Sequence, residues 1–333
     1  MMEPERSTCP DCERIEPVAT RRDFVRAVGG AALAGHLIAL ATPGRVARAA
    51  DSTGAETAVK RLYGTLTSDQ RKAICFPFDD PKRNRINANW AITKPTIGEF
   101  FTKEQQAIVD EIFKGATSPD GYERFQKQME DDSGGFDTYH VALFGEPESG
   151  KFEWELTGRH MTIRVDGDSV EGTAFGGPIV YGHGAGDSQK GLPGNVFYYQ
   201  TLKANEVFEA MDGKQREKAL LEKAPRENAV ELQGASGKFP GVAIGELARD
   251  QKELVEKVMK VILSPYREKD VDEAMAILKQ GGGLDALHLA FYKSDDIGGD
   301  HVWDIWRLEG PNFVWHFRGA PHVHTYVNIG VKS

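Results

Sequence analysis

Near the end of the chain stands His322-Val323-His324, followed by Thr325, Tyr326 and Val327. Aromatic and β-branched neighbours favour an extended strand, and in a strand residues two apart face the same side. Two imidazoles would then point at one place, which is what chelation of a metal through ring nitrogens requires. In a helix the same pair would diverge by about 200°, so chelation depends on the strand. The plain alternative is a pair of exposed or hydrogen-bonded histidines that hold no metal.

A third ligand follows from hairpin arithmetic. A three-residue loop over 319–321 pairs residue 318 with 322 and residue 316 with 324, which brings His316 onto the histidine face. A two-residue loop places Trp315 there instead. Pro321 lacks an N–H and suits a loop better than a paired position, which favours the first register. His160, just after Gly158 at the start of another extended segment, is the next candidate, as a metal ligand or a catalytic acid or base. Asp79 and Asp80, in Phe76-Pro77-Phe78-Asp79-Asp80-Pro81, are candidate catalytic carboxylates for a metal or a substrate, although Asp before Pro is also ordinary turn chemistry. A three-histidine site with an open position suits zinc, copper or iron, for water activation or for oxygen chemistry. His140 and His288, on apolar strands, read as core histidines, while His183 and His301 stay open. No Gly-x-Ser-x-Gly or His-Glu-x-x-His occurs, which disfavours serine hydrolases and helical zinc proteases.

The elements that must position these groups read as α+β. Segments 103–115 and 244–263 carry apolar residues at helical spacing. Ser118-Pro119 and Ser264-Pro265 open further helices near 119–130 and 265–279. Gly134-Gly135 and Gly281-Gly282-Gly283 close them. Strands are expected at 137–145, 152–157, 160–166 and 169–175, then at 285–292, 301–308, 312–318 and 322–329, mainly antiparallel. Two internal repeats are expected, since Ile97-Gly98-Glu99-Phe100 returns as Ile244-Gly245-Glu246-Leu247 and Tyr139-His140-Val141-Ala142 as Leu287-His288-Leu289-Ala290. The first repeat spans 50–200 and the second 201–333. On the repeat, His160 aligns with Asn312 and Arg164 with His316. Between the repeats, 176–195 holds seven glycines and two prolines. It reads as a long surface loop or a lid, and it lacks the Lys-Ser/Thr of a phosphate loop.

Composition narrows the function classes. The 333 residues are 40% hydrophobic and 27% charged, ordinary for a globular protein. The net charge of −9 disfavours a nucleic-acid binder that works by neutralising phosphates. The apolar stretch Ala27–Ala41 is short and glycine-containing, which argues against a permanent membrane anchor. With Arg21-Arg22, Phe24 and the small residues Ala47 and Ala49 it reads instead as a twin-arginine signal peptide over 1–49, cleaved after Ala49. That implies passage through the twin-arginine export machinery to the periplasm. Cys9 and Cys12 would leave with the leader, so Cys75 remains alone in the mature chain and reads as a buried, inert thiol.

Several blocks together resemble a known family. Leu62-Tyr63 to Gln70-Arg71, Phe76-Pro77-Phe78-Asp79-Asp80-Pro81, Phe144-Gly145-Glu146-Pro147, Leu308-Glu309-Gly310-Pro311 and His322-Val323-His324-Thr325 resemble, in order, the exported bacterial proteins grouped as domain of unknown function 3500. The resemblance covers residues 61–333 and implies no particular activity. In that family a Glu commonly stands where this chain has His316, and an Asp-Asn precedes the histidine pair where this chain has Arg318-Gly319. Residue chemistry and resemblance together lead to an exported metal-binding protein, a metal-dependent hydrolase or oxidoreductase acting on a small-molecule or envelope substrate. The alternative is a non-catalytic envelope module that binds a ligand without metal.

Overall fold

A computed structural model describes residues 54–184, 194–297, 299 and 301–332. The segment expected to be a twin-arginine signal, with its expected cleavage after Ala49, lies outside these residues, as does 185–193 of the glycine-rich stretch. No helix among the described residues is long and apolar enough to cross a membrane.

The fold is α+β, with nine α-helices and one 11-stranded sheet among the described residues. The first strands are β1 (Cys75–Phe76), β2 (His140–Glu146), β3 (Lys151–Gly158), β4 (Met161–Val165) and β5 (Ile179–His183). Next come β6 (Leu220–Leu221), β7 (Val242–Ala243), β8 (His288–Tyr292), β9 (Ile305–Gly310), β10 (Phe313–Arg318) and β11 (Val323–Ile329). The strand order is β1-β2-β3-β4-β5-β11-β10-β9-β8-β6, with β7 paired to β8 off this path. Both halves of the chain therefore share one sheet, joined where β5 runs antiparallel to β11. Only the outer pairs β1–β2 and β6–β8 are parallel.

Two expectations change at the centre. Residues 169–175 were expected as a strand but form turns that lead into a 3-10 turn at Ala174–Gly176. The strand lies further on, inside the segment expected as a surface loop: Ile179–His183 is buried throughout and hydrogen-bonded on both sides. Alternation cannot reveal a strand buried on both faces, and its glycines read as loop. Gly182 is glycine for a packing reason, since a Cβ there would sit 2.1 Å from the Val323 carbonyl oxygen and 3.2 Å from the His324 ring.

Helices cover one face of the sheet. After α1 (Ala55–Thr65), α2 (Ser68–Ile74) and the short α3 (Ile97–Phe100), the helix α4 (Lys103–Ala116) starts at a capping box of Thr102 and Gln105. It buries Val109, Ile112, Phe113 and Ala116, one stripe at helical spacing. The next helix, α5 (Pro119–Ser133), is capped by Ser118, opens on proline and ends at Gly134 in the left-handed conformation, φ 86°. After α6 (Tyr199–Ala210) and α7 (Gly213–Ala219), the second-half helices are α8 (Arg249–Leu263) and α9 (Glu268–Gln280). Under them lie Trp154, Tyr181, Trp306, Trp315 and Phe317 in the main core. The other face is more polar and is covered by non-helical chain. There Arg164 donates to the carbonyls of Arg83, Arg85 and Pro178, and Arg307 donates to that of Ala229.

Candidate metal centre

His160 occupies a turn that a histidine seldom takes. Gly158 pairs with Met161, so Arg159 and His160 form a two-residue connection between β3 and β4. The second of them lies at φ 56°, in the left-handed region where glycine or asparagine is usual. An outlier of this kind in the backbone is a pointer to function. From that turn the buried ring reaches His322 and His324, which enter from the start of β11. His160 Nε2 is 3.2 Å from His322 Nε2, and His322 Nε2 is 3.1 Å from His324 Nε2. Ring centroids are 4.9 Å apart for His160 with either partner and 4.8 Å for His322 with His324. These three form the one group of three or more His, Cys, Asp or Glu with metal-ligand spacing among the described residues.

Carboxylates hold the far sides of two rings. His160 Nδ1 lies 2.6 Å from Asp132 Oδ2, and His324 Nδ1 lies 2.8 Å from Glu227 Oε2. Burial works to raise the Asp132 carboxyl, but the His160 ring and the Gln128 amide outweigh it and hold the group below the usual range. Burial likewise pushes the His160 imidazole down, more than Asp132 lifts it, so the ring is neutral near pH 7. An ionised Asp132 then accepts the Nδ1–H and leaves a lone pair on Nε2. With the His324 Nδ1–H directed to Glu227, a second lone pair faces the same spot. His322 Nε2 sits between them, and the three nitrogens are spaced as the ligands of one cation would be. Ligand nitrogens about 2.0–2.1 Å from a tetrahedral ion lie roughly 3.3 Å from one another, close to the two separations found. A carboxylate behind a ligating imidazole is the usual outer support of such a site.

The surroundings fix this geometry. Asp132 closes α5, its Oδ1 accepting the Gly184 N–H at 2.9 Å and its Oδ2 the Gln128 amide at 2.7 Å. A Cβ on Gly184 would come within 2.7 Å of the His160 ring. Arg318 ends β10 directly opposite His324. Its Nη2 is 2.9 Å from His324 Nδ1 and 3.3 Å from His322 Nε2, and its Nε is 3.1 Å from Glu227 Oε1.

A family model described as "Protein of unknown function (DUF3500)" matches residues 48–328. The chain belongs to the DUF3500 family. Every residue of the cluster and its support, from Asp132 to His324, falls inside the matched DUF3500 span. No curated protein and no solved structure matches the chain.

Of the candidates read from sequence, His160, His322 and His324 come together and the others do not. His316 pairs with Tyr326, because Arg318 and not His316 stands opposite His324. The strand stays paired through Arg318, and Gly319 donates to the Asp304 carbonyl at 2.7 Å, so the connection is longer than a three-residue loop. His316 is buried with neither ring nitrogen hydrogen-bonded, and burial pushes it down to about 4. Asp79 and Asp80 sit beside the β2–β3 turn, where the preceding Phe78 packs near Gly145. His160 follows the opposite end of the eight-residue β3, which at about 3.3 Å per residue is roughly 25 Å away. Asp80 caps the turn Pro81–Asn84, accepting the Lys82 N–H, and Asp79 is exposed.

Two of the remaining histidines, His183 and His140, have structural partners. His183 accepts the Val196 N–H on Nδ1 and turns Nε2 to Asp131 at 3.1 Å, which ties the chain after 193 to α5. His140 Nδ1 is 3.0 Å from the Pro95 carbonyl. Cys75 is half-buried with its thiol raised to about 11 by burial, which suits an inert role. Sequence reasoning missed Asp132, Glu227 and Arg318. A signal existed for the first: α5 ends on Glu130-Asp131-Asp132 with no basic residue in its last turn, the wrong charge for a helix C-terminus.

Proposed function

We propose that this protein is an exported metalloenzyme in which His160, His322 and His324 bind one divalent transition ion. The observation that carries the reading is the convergence of three buried imidazole nitrogens, two of them backed by carboxylates. Three neutral nitrogen ligands suit zinc, copper or iron and leave room on the ion for water or substrate. A bound ion of this kind lowers the pKa of water for hydrolysis, or binds oxygen if it is redox-active. The protein's share is to keep His160 neutral, to orient two of the rings through Asp132 and Glu227, and to bury all three against competing water.

Two further elements belong to this reading. The halves 50–200 and 201–333 are copies of one unit, supported by matching sequence blocks and by a strand order that runs outward in the same way from β5 and from β11. The cluster then arose where the copies meet and differ. The leader 1–49 directs export through the twin-arginine route, which carries folded proteins; the N-terminal mass of the mature chain tests cleavage after Ala49.

The deciding experiment is elemental analysis of untagged protein from the periplasm beside the His322→Ala/His324→Ala variant. The expected result is about one zinc, copper or iron per chain, absent from the variant. A metal-free, folded wild type would reject the enzyme reading in favour of a ligand-binding module.

A further inference from the structure

We infer that the polar face of β8–β10 holds a second binding site, where Tyr292, Arg307 and His316 receive a small uncharged ligand of the primary-amide class. This site needs no metal: Arg307 and Tyr292 stand two and three strands away from β11, which carries His324. Arg307 is flanked directly by His316 on β10 and by Ala290 on β8, and Tyr292 is the next residue of β8 on the same face. All three side chains are buried, Arg307 the most exposed of them at 6%. Among the described residues the Tyr292 hydroxyl, Arg307 Nη1 and both His316 ring nitrogens have no hydrogen-bond partner. Buried polar atoms are seldom left so, and a cluster of them on one face is a pointer to a ligand. The Arg307 charge acts on both Tyr292 and His316, so the three share one neighbourhood.

Charge and hydrogen-bonding capacity choose the ligand. Glu309 already neutralises the guanidinium, 3.0 Å from Nε and 3.3 Å from Nη2. Burial holds the His316 ring neutral, down to about 4, and the Tyr292 hydroxyl protonated, up to about 12. Arg318 and Glu227, the other charges that act on His316, pair with each other. An anion would therefore enter a desolvated place whose positive charges are already matched, which is unfavourable. What is left over is N–H donors on Arg307 Nη1, and one donor and one acceptor on each of Tyr292 and neutral His316. A primary amide meets this set: its carbonyl oxygen accepts from Nη1 and the Tyr292 hydroxyl, and its NH2 donates to the unprotonated His316 nitrogen. The covering chain keeps the ligand small, since the Ala229 carbonyl accepts from Arg307 Nη2 at 2.6 Å and Ala224 packs in the apolar group around Tyr292.

The test titrates the protein with acetamide, acetate and acetone and follows each ligand's own NMR line width. Acetamide is expected to bind the wild type saturably, and about tenfold more weakly Tyr292→Phe and Arg307→Lys, each of which loses a hydrogen bond to it. Acetate carries a charge and acetone has no N–H donor, so both are expected to bind the wild type about tenfold more weakly than acetamide. The His322→Ala/His324→Ala variant is expected to bind acetamide as the wild type does, whatever its metal content. Tyr292→Phe removes only a hydroxyl without a partner and keeps the fold, so it decides should Arg307→Lys fail to fold. No saturable binding of acetamide would overturn the inference and leave these groups to internal water. Equal affinity in Tyr292→Phe, acetate binding more tightly than acetamide, or loss of binding in the histidine variant would each overturn it as well.

Discussion

The strand pairs β3–β4 and β9–β10 occupy matching places on either side of the β5–β11 junction, and their polar faces carry opposite chemistry. Three residues back from the turn, Glu155 faces Arg164 in the first pair, and Arg307 faces His316 in the second. Five residues past the turn stand Asp166 and Arg318. The first pair is a closed ion network: Arg164 bonds Glu153 and Glu155, and Arg83 bonds Glu153, all buried or nearly so. The second is looser. Arg307 bonds Glu309 and the Ala229 carbonyl, and His316 bonds nothing. The turns differ likewise, His160 at positive φ against Pro311-Asn312. One side of the sheet is thus built to hold, and the other has exchanged acids for bases next to the histidine cluster.

The largest expected effect tests the closed side. Arg164→Met strands the buried Glu155 and leaves Glu153 to Arg83 alone, and should cost about 3–5 kcal/mol. Arg307→Met leaves Glu309 with the Gln233 amide and should cost less, about 1–3 kcal/mol. Urea unfolding of both variants measures the difference, and equal losses would erase the contrast.

Next come two buried groups that titrate in opposite senses. His316, held down to about 4 by burial, is uncharged in the fold while the unfolded chain takes up protons below its ordinary pKa of about 6.5, so stability falls as pH drops from 6.5 to 4. Asp166, pushed up to about 7 by burial and by Glu153, stays protonated in the fold while the unfolded chain ionises, so stability falls as pH rises from about 4 to 7. Each contributes on the order of 3 kcal/mol over its window. His316→Leu should remove the acid-side loss and expose the fall toward neutral pH, and Asp166→Asn should do the reverse. Thermal unfolding at pH 4, 5.5 and 7 would show whether the slopes separate in this way.

A smaller effect separates neighbours on α5. Asp132→Asn should weaken metal binding 10- to 100-fold, about 1.4–2.7 kcal/mol, through the orientation of His160. Asp131→Asn, which touches His183 and Lys127 but none of the three clustered histidines, should leave metal affinity unchanged. Competition with a chelator of known affinity reads both, and a matching loss in the two variants would deny Asp132 its positioning role.

Much of this was legible in residue patterns, and the failures have physical causes. The i, i+2 spacing of His322 and His324 and the strand chemistry after them pointed to two members of the cluster. His160 was legible as a histidine after glycine where the matching turn has Asn312. The error at His316 was one of register, which is set by how far β10 stays paired with β9, and no local pattern reports that. The buried strand β5 was hidden because strands covered on both faces do not alternate. Glu227, in irregular chain far from the cluster in sequence, left no signal at all.

The smallest expected effect concerns Asp79 and Asp80, read from sequence as catalytic carboxylates. They lie at the far end of β3 from the histidine turn, where the first covering segment leaves β1, so their chemistry belongs to the closed side. Asp80 accepts the Lys82 N–H at 2.9 Å and caps a single turn. Asp80→Ala should therefore cost about 0.5–1 kcal/mol in unfolding, and Asp79→Asn nothing measurable. Neither change should alter metal content. Should either variant lose metal with its stability intact, the cover over β3–β4 would reach the centre after all, and the division between a holding side and a reacting side would fall.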